Sequence, residues 1–543
     1  MGEHASQGYD FIIVGAGAAG CTLANRLSED PNVSVLVIEA GPENKNILYN
    51  MPKGFGRTIL NPKYSWLYFT EPEPATGNRP ELWSRGRTLG GSSSTNGMCY
   101  NRGDVADWDT FIELGLPKWS WSHIGKGFEA LEAHALGAAP GRGGNGPLHI
   151  APHANPNPLC EAFITAAEQM GAPRTDDVNA CQGERAGYMI ANIKKGRRNS
   201  TARAFLAPAR ERANLDVVTG VQVTRIDFAG KCAVGVSGTS GGVERRFRCR
   251  PTGEVILAAG ALHSPKLLQL SGVGPAEHLR KHGIAVVHDS PAVGRNMIEQ
   301  RPLNATFRLN RRLGLNSDLR GVGLAKSVAR YLLGRDGPLS TCSHEATALV
   351  KAHPNATRPD VLLALSPTSM SDDKPQALNV DALPGMMLLA FQIRPTSKGS
   401  VMIRSADPAE PPVIRPNYHS TAIDRETAVY SVRAMRRLVS QPAFASIIEA
   451  ELKPGPAYQT DQEILDAFTR FGVSAYHACG TCGMGAHETS VVDEDLRVRG
   501  VSGLRVCDLS VIPFMVSAGT HAATIGMAWR AGDVIRTSRR LAQ

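Results

Sequence analysis

The stretch Tyr9-Asp-Phe-Ile-Ile-Val-Gly-Ala-Gly-Ala-Ala-Gly20 decides the fold. Its first six residues form a short apolar run rich in β-branched side chains, the composition of a strand buried on both faces. Gly15, Gly17 and Gly20 follow at once, and Cys21 to Leu27 then reads as a helix opened by small residues. A second apolar run, Val33-Ser-Val-Leu-Val-Ile38, reads as a strand closed by Glu39. In such a unit Gly15 allows the tight turn, Gly17 lets backbone approach a pyrophosphate, and Gly20 packs helix on strand. The phosphates meet the free N–H groups and positive dipole end of the helix, which brings Ala18 and Ala19 into the site. Glu39 comes 19 residues after Gly20, close to the spacing of about 20 for an acid that hydrogen-bonds ribose hydroxyls. Ala40 follows it. The pattern predicts an adenine dinucleotide and leaves FAD and NAD both open.

The totals fit an ordinary globular chain. With 543 residues there is room for two or three domains, and 42% hydrophobic with 20% charged residues points neither to disorder nor to a membrane protein. The 59 Lys and Arg exceed the 50 acids but are dispersed, and the densest cluster, Lys194-Lys-Gly-Arg-Arg198, lacks interleaved aromatics. No nucleic-acid partner is expected. Ten irregularly spaced cysteines suit a reducing compartment. No Lys or Arg precedes the apolar stretch that begins at Phe11, and no run reaches the ~20 apolar residues of a bilayer span. A cytoplasmic protein is expected.

Arg85-Gly-Arg-Thr-Leu-Gly-Gly-Ser-Ser-Ser-Thr-Asn-Gly-Met98 has no hydrophobic period and reads as a loop long enough to be functional. At this point the chain resembles the glucose-methanol-choline (GMC) family of FAD-dependent oxidoreductases. The likeness is carried by the glycine turn, by Arg87 to Gly97, and by Gly260-Ala-Leu-His-Ser-Pro-Lys-Leu-Leu-Gln-Leu-Ser-Gly-Val-Gly-Pro275. Gly399 to Pro408, Ala475 to Gly485 and Arg505 to Pro513 extend it over nearly the whole chain.

The resemblance implies an α/β fold: a Rossmann-like FAD-binding domain assembled from discontinuous segments, plus an α+β substrate domain with an antiparallel sheet. We expect the FAD domain in 1–155, 199–298 and 468–543, and the substrate domain in 156–198 and 299–467. Val255 to Ala259 reads as a strand followed by a helix-like Lys266 to Ser271, and 214–218 and 221–226 read as strands. Beyond the glycine turn and Glu39-Ala40, the implied FAD contacts are Arg87, Gly90, Gly91, Ser92, Asn96, Gly97, Met98, Val223, Ala259 and Asp508.

Ala475-Tyr-His-Ala-Cys-Gly-Thr-Cys-Gly-Met-Gly485 contains a Cys-x-x-Cys spacing beside a histidine. Alone it fits a redox dithiol, half a zinc site, or the surroundings of a catalytic base. The resemblance selects the last: His477 and His521 match the family's pair at the reactive edge of the flavin. Alcohol oxidation removes a hydride from carbon and a proton from oxygen, and histidine suits the proton. His477 is assigned as the general base and His521 as its partner, with exchange of the roles open. Cys479 and Cys482 become packing residues, and no metal is expected.

Two departures from the family matter. Where some members attach FAD through a histidine, this chain has Thr95, so FAD is expected to be noncovalent. The family's Asp-His pair after Val-Gly-x-Asn is replaced in Val293-Gly-Arg-Asn-Met-Ile-Glu-Gln300, which obscures that loop's role. The expected reaction is oxidation of a primary alcohol, aromatic or heteroaromatic, to the aldehyde, with oxygen or another acceptor restoring the flavin. A hydroxynitrile lyase on the same fold is the alternative, ahead of a light-driven decarboxylase and a noncatalytic flavoprotein. Tyr64, Trp66 and Tyr68 are candidates for aromatic pocket surface.

Overall fold

The computed structural model describes residues 8–152, 156–180, 182–371, 379–517 and 519–542. Cys181 and Ala518 lie outside them. β1 (Tyr9–Val14), α1 (Ala18–Leu27) and β2 (Val35–Glu39) form the expected unit, and every residue of both strands is buried. β1 and β2 pair in parallel, with Phe11 opposite Val35 and Val14 opposite Ile38. The helix begins three residues before the sequence reading placed it, because Gly17 acts as its N-cap. Glu39 is the last residue of β2 rather than a residue beyond it.

The parallel layer is completed by Leu215–Thr219 beside β2, by the end of the long strand Val243–Leu257 beside β1, and by Leu504–Val506 outermost. The first half of Val243–Leu257 instead pairs antiparallel with Cys232–Ser240, which pairs with Gln222–Ala229. One strand thus belongs to a parallel layer at one end and a meander at the other. The last helix, Thr520–Ala542, packs on α1, where the Arg26 guanidinium lies 4.5 Å from the Trp529 ring centroid and 2.6 Å from Asp533. The helix after Leu257 runs from Gly260 to Leu270 with Pro265 inside it, earlier than the expected Lys266 start.

A second sheet has the order Ile448–Lys453, Leu303–Leu309, Gly385–Gln392, Val361–Ser366, Ala346–Val350 and Arg185–Tyr188, with all neighbours antiparallel. Side chains alternate across it. Leu303, Ala305, Leu363, Leu365 and Leu388 face a core shared with the helices Pro158–Gln169, Ala422–Val439 and Asp461–Phe471. Leu362, Ala364, Leu389 and Phe391 belong to a separate cluster and line the cavity described next. The fold is the expected α/β layer with an α+β partner built on an antiparallel sheet.

Candidate active site

A cavity of about 520 Å³ runs from the glycine turn to the second sheet. Gly15 donates to Ile38 O at 2.8 Å, and Ala16 N–H donates to Glu39 Oε2 at 2.9 Å. Glu39 Oε1 accepts from Gly41 N–H at 2.8 Å. Burial raises the Glu39 carboxyl to about 7 against these donors. The three glycines stand in different surroundings. A Cβ on Gly20 would lie 1.9 Å from Gly15 O, so Gly20 serves helix packing. A Cβ on Gly17 would meet no protein atom closer than 3.9 Å and would project into the cavity. Gly17 has φ −75°, an ordinary backbone, so neither strain nor a protein neighbour accounts for the missing side chain. A ligand drawn onto the helix N-terminus does, and the residues present therefore fit the dinucleotide.

The glycine-serine segment is more ordered than a loop. Arg85 and Gly86 end the strand Leu82–Gly86, and Gly91–Ser94 form a 3₁₀ turn. Gly90 N–H donates to Ala16 O at 2.7 Å, which binds this segment to the glycine turn. Behind it the fully buried Arg198 donates to Tyr49 O, Ser93 O, Asn96 O and Asn96 Oδ1. Asp508 Oδ2 accepts from Gly260 N–H at 2.8 Å and its Oδ1 from Ser510 N–H at 2.8 Å. Of the expected contacts, Gly15, Gly17, Ala18, Ala19, Glu39, Ala40, Gly91, Ser92, Asn96, Gly97, Met98, Val223, Ala259 and Asp508 line the cavity. Gly20, Gly90 and Arg87 shape it from behind; the Arg87 guanidinium sits 4.5 Å over the Trp66 ring. Trp66 and Thr95 are on the wall. Tyr64 and Tyr68 are buried, Tyr64 edge-on to Tyr49 and Tyr68 bonded through its hydroxyl to His263 Nε2 at 2.5 Å.

The histidine end is made of side chains from distant segments. Ile298 and Cys479 exchange backbone hydrogen bonds of 3.0 Å, which sets residues 298–300 beside 475–479. Glu299 Oε1 accepts from the backbone N–H groups of His477 and Gln300 at 2.9 and 3.0 Å. His477 Nδ1 and Gln300 Oε1 are 2.6 Å apart, and Gln300 Nε2 donates to Ile393 O at 2.7 Å. With the amide N–H₂ committed to Ile393, the carbonyl oxygen faces the imidazole and Nδ1 must be the donor. Nε2 is then the unprotonated nitrogen. It lies 4.0 Å from where a Cβ on Gly519 would be, two residues before His521. Tyr476, with φ +62°, turns the chain just ahead of this histidine.

His521 stands in the first turn of the last helix, where its buried Nε2 has no protein partner. Burial, aided by Arg85, lowers the His477 imidazole to about 3, and burial with Arg198 lowers His521 to about 4. Both rings are neutral at physiological pH. Glu299 is raised to about 7 by burial, although Arg85 opposes the shift. Cys479 and Cys482 are buried free thiols in two different apolar clusters, and the Cys479 thiol reaches Phe514 O at 3.6 Å. Both thiols are pushed up by burial. Sequence reasoning missed Glu299 and Gln300 as the supports of His477. Its only signal was the departure noted in Val293–Gln300.

A family model described as GMC oxidoreductase matches residues 9–301 with its N-terminal part and residues 395–528 with its C-terminal part. The chain belongs to the GMC oxidoreductases. This GMC oxidoreductase is 38% identical to mitochondrial choline dehydrogenase of Mus musculus, over 97% of this chain and 89% of the mouse enzyme. It is 36% identical to an alcohol dehydrogenase (acceptor) of Pseudomonas putida, over 97% of this chain and 95% of that one. Among solved structures, pyridoxine 4-oxidase from Mesorbium loti superposes with a TM-score of 0.88 at 30% identity, covering 97% of this chain and 99% of that one. The protein is an FAD-dependent enzyme of the class that oxidises CH–OH donors. Among the described residues, no helix is long and apolar enough to cross a membrane, and no group of three or more His, Cys, Asp and Glu could hold a metal ion.

Proposed function

We propose that this oxidoreductase converts a primary alcohol with an aromatic or heteroaromatic body to its aldehyde, with His477 as general base and His521 as the partner that holds the substrate oxygen. The observation that carries the reading is the Gln300 bond to Nδ1, which leaves the unprotonated Nε2 of His477, a residue of the cavity wall, to accept a proton. When bound, FAD supplies the acceptor for the hydride. His477 Nε2 takes the hydroxyl proton, Gln300 keeps the ring oriented as charge develops on it, and neutral His521 offers hydrogen-bonding capacity to the developing alkoxide. Oxygen or another acceptor completes the cycle.

The wall supports the substrate class. Phe55, Trp66, Leu389 and Phe391 give it an aromatic and aliphatic surface. Glu39 and Asp508 are the carboxylates among its lining residues, and both are engaged by backbone N–H groups. Neither is free to face a quaternary ammonium. We assign residues 1–155, 199–298 and 468–543 to the cofactor domain and 156–198 with 299–467 to the substrate domain. Thr95, on the cavity wall, cannot form a histidyl bond, which supports noncovalent FAD. The nine described cysteines are free, in keeping with a reducing, cytoplasmic setting.

The test is anaerobic reduction of the bound flavin by a panel of benzylic, furanic, pyridoxine-type, aliphatic and quaternary ammonium alcohols. Bleaching by the ring-bearing members first is expected; preferential bleaching by choline would overturn the substrate class. Release of aldehyde from a cyanohydrin with an unchanged flavin spectrum would overturn the reaction type.

A further inference from the structure

The helix Gly321–Gly334 lies on the surface with only Ser327 and Tyr331 buried. Tyr331 anchors it through a 3.5 Å hydrogen bond to Asn50 O. On the opposite side Val322, Ala325, Ala329, Leu332 and Leu333 recur at intervals of three and four residues, the spacing of one helical face. Val322 is 74%, Leu332 55% and Leu333 90% exposed. This is a continuous apolar stripe rather than scattered surface hydrophobics. The neighbouring turn adds Leu383, 55% exposed, held close by Arg320 Nη1 on Val380 O at 2.9 Å and Asn316 Nδ2 on Asp381 O at 3.2 Å.

The charge around the stripe selects its partner. From residue 310 to 336 the bases are Arg311, Arg312, Arg320, Lys326, Arg330 and Arg335, and the acids are Asp318 and Asp336. Lys326 and Arg330 border the stripe directly; Arg330 is paired with Asp336 at 2.5 Å, and Arg311, Arg312 and Lys326 are exposed. An apolar helical face edged by Lys and Arg matches an anionic lipid surface, where the apolar side chains enter the headgroup boundary and each base near the surface adds electrostatic attraction. A second copy of this chain would set these bases against one another. We propose that the helix Gly321–Gly334 is a peripheral docking face for anionic membranes.

The holoenzyme, followed by its flavin absorbance, is floated with vesicles of phosphatidylcholine alone or mixed with phosphatidylglycerol. We expect binding to the mixed vesicles, weakened by salt, and little to the neutral ones. Leu332→Ser with Leu333→Ser lowers the partition coefficient about tenfold or more, and Lys326→Glu lowers it several-fold. Turnover of a water-soluble alcohol is unchanged in all variants. The proposal is overturned if wild-type protein prefers neither vesicle, or if the serine variant binds as wild type does. It is also overturned if wild type is a dimer that the serine variant splits, since a second copy would then cover the stripe.

Discussion

At the glycine turn the cavity wall is backbone, drawn from a few dozen consecutive residues; at the histidine end it includes the side chains of Arg85, His477 and His521, with Glu299 and Gln300 behind His477. In the first region a missing side chain leaves space, since a Cβ on Gly17 would meet no protein atom closer than 3.9 Å. In the second, orientation is set by a chain of polar contacts from Ile393 through Gln300 to His477. Recognition of a common cofactor part can be written locally into the chain. Placement of a reacting nitrogen needs the whole fold.

Substitutions at four positions would break or sharpen that contrast. His477→Ala should slow flavin reduction by at least ~10²-fold, the usual contribution of a positioned base, while leaving FAD bound; an unchanged rate in stopped flow would remove His477 from the chemistry. Gly17→Val puts methyl groups into the cavity without straining the backbone. It should fold with an unaltered circular dichroism spectrum yet retain less than about a tenth of the FAD, as measured by the flavin-to-protein absorbance ratio. Retention of full FAD would mean that the gap at Gly17 is not the ligand's. Gln300→Leu should slow flavin reduction about tenfold, about 1.4 kcal/mol, near the upper end for one hydrogen bond, with Gln300→Asn or His restoring part of it; no change would show that Nδ1 needs no lock.

The smallest effect is one of pH. Both histidines titrate at about 3 to 4 and stay neutral above pH 5, so neither should give an inflection near 6.5. Glu299 titrates at about 7. Its folded value is above that of the unfolded chain, so the folded protein holds a proton there that the unfolded chain has lost. The resulting stability is present at low pH and is lost as pH rises through 7. Ionised Glu299 makes the adjoining imidazole a stronger base, and flavin reduction should rise modestly over the same interval. Glu299→Gln should flatten that rise. An inflection that persists in the glutamine variant would move the titrating group elsewhere.

How much of this was legible follows the same division. Tyr9 to Glu39 could be read almost residue by residue, since strand, turn, helix and acid are fixed by contacts within the stretch. The bounds slipped by two or three residues where a cap decided them, as at Gly17. The antiparallel sheet was legible only as an expectation from resemblance, because partners such as Arg185 and Leu349 are far apart in the chain. The histidines were named by resemblance too. Glu299 and Gln300 were not, because their roles depend on a backbone pairing between Ile298 and Cys479 that no local pattern announces. Arg198 was hidden likewise: in sequence it closes a basic cluster, and in the fold it is buried among carbonyl oxygens.

The strand Val243–Leu257, which pairs with β1 on one side and with Leu504–Val506 on the other, ties segments nearly 500 residues apart into one layer. During translation β1 and its glycine turn emerge some 480 residues before the outer strand and the last helix. At synthesis rates of about 5–20 residues per second the nascent turn waits roughly half a minute to a minute and a half. For that interval its apolar strand lacks the final neighbour and α1 lacks the helix that covers it. The cofactor layer therefore closes only once residues 504–542 have been made, and a product truncated before them exposes a β-sheet edge.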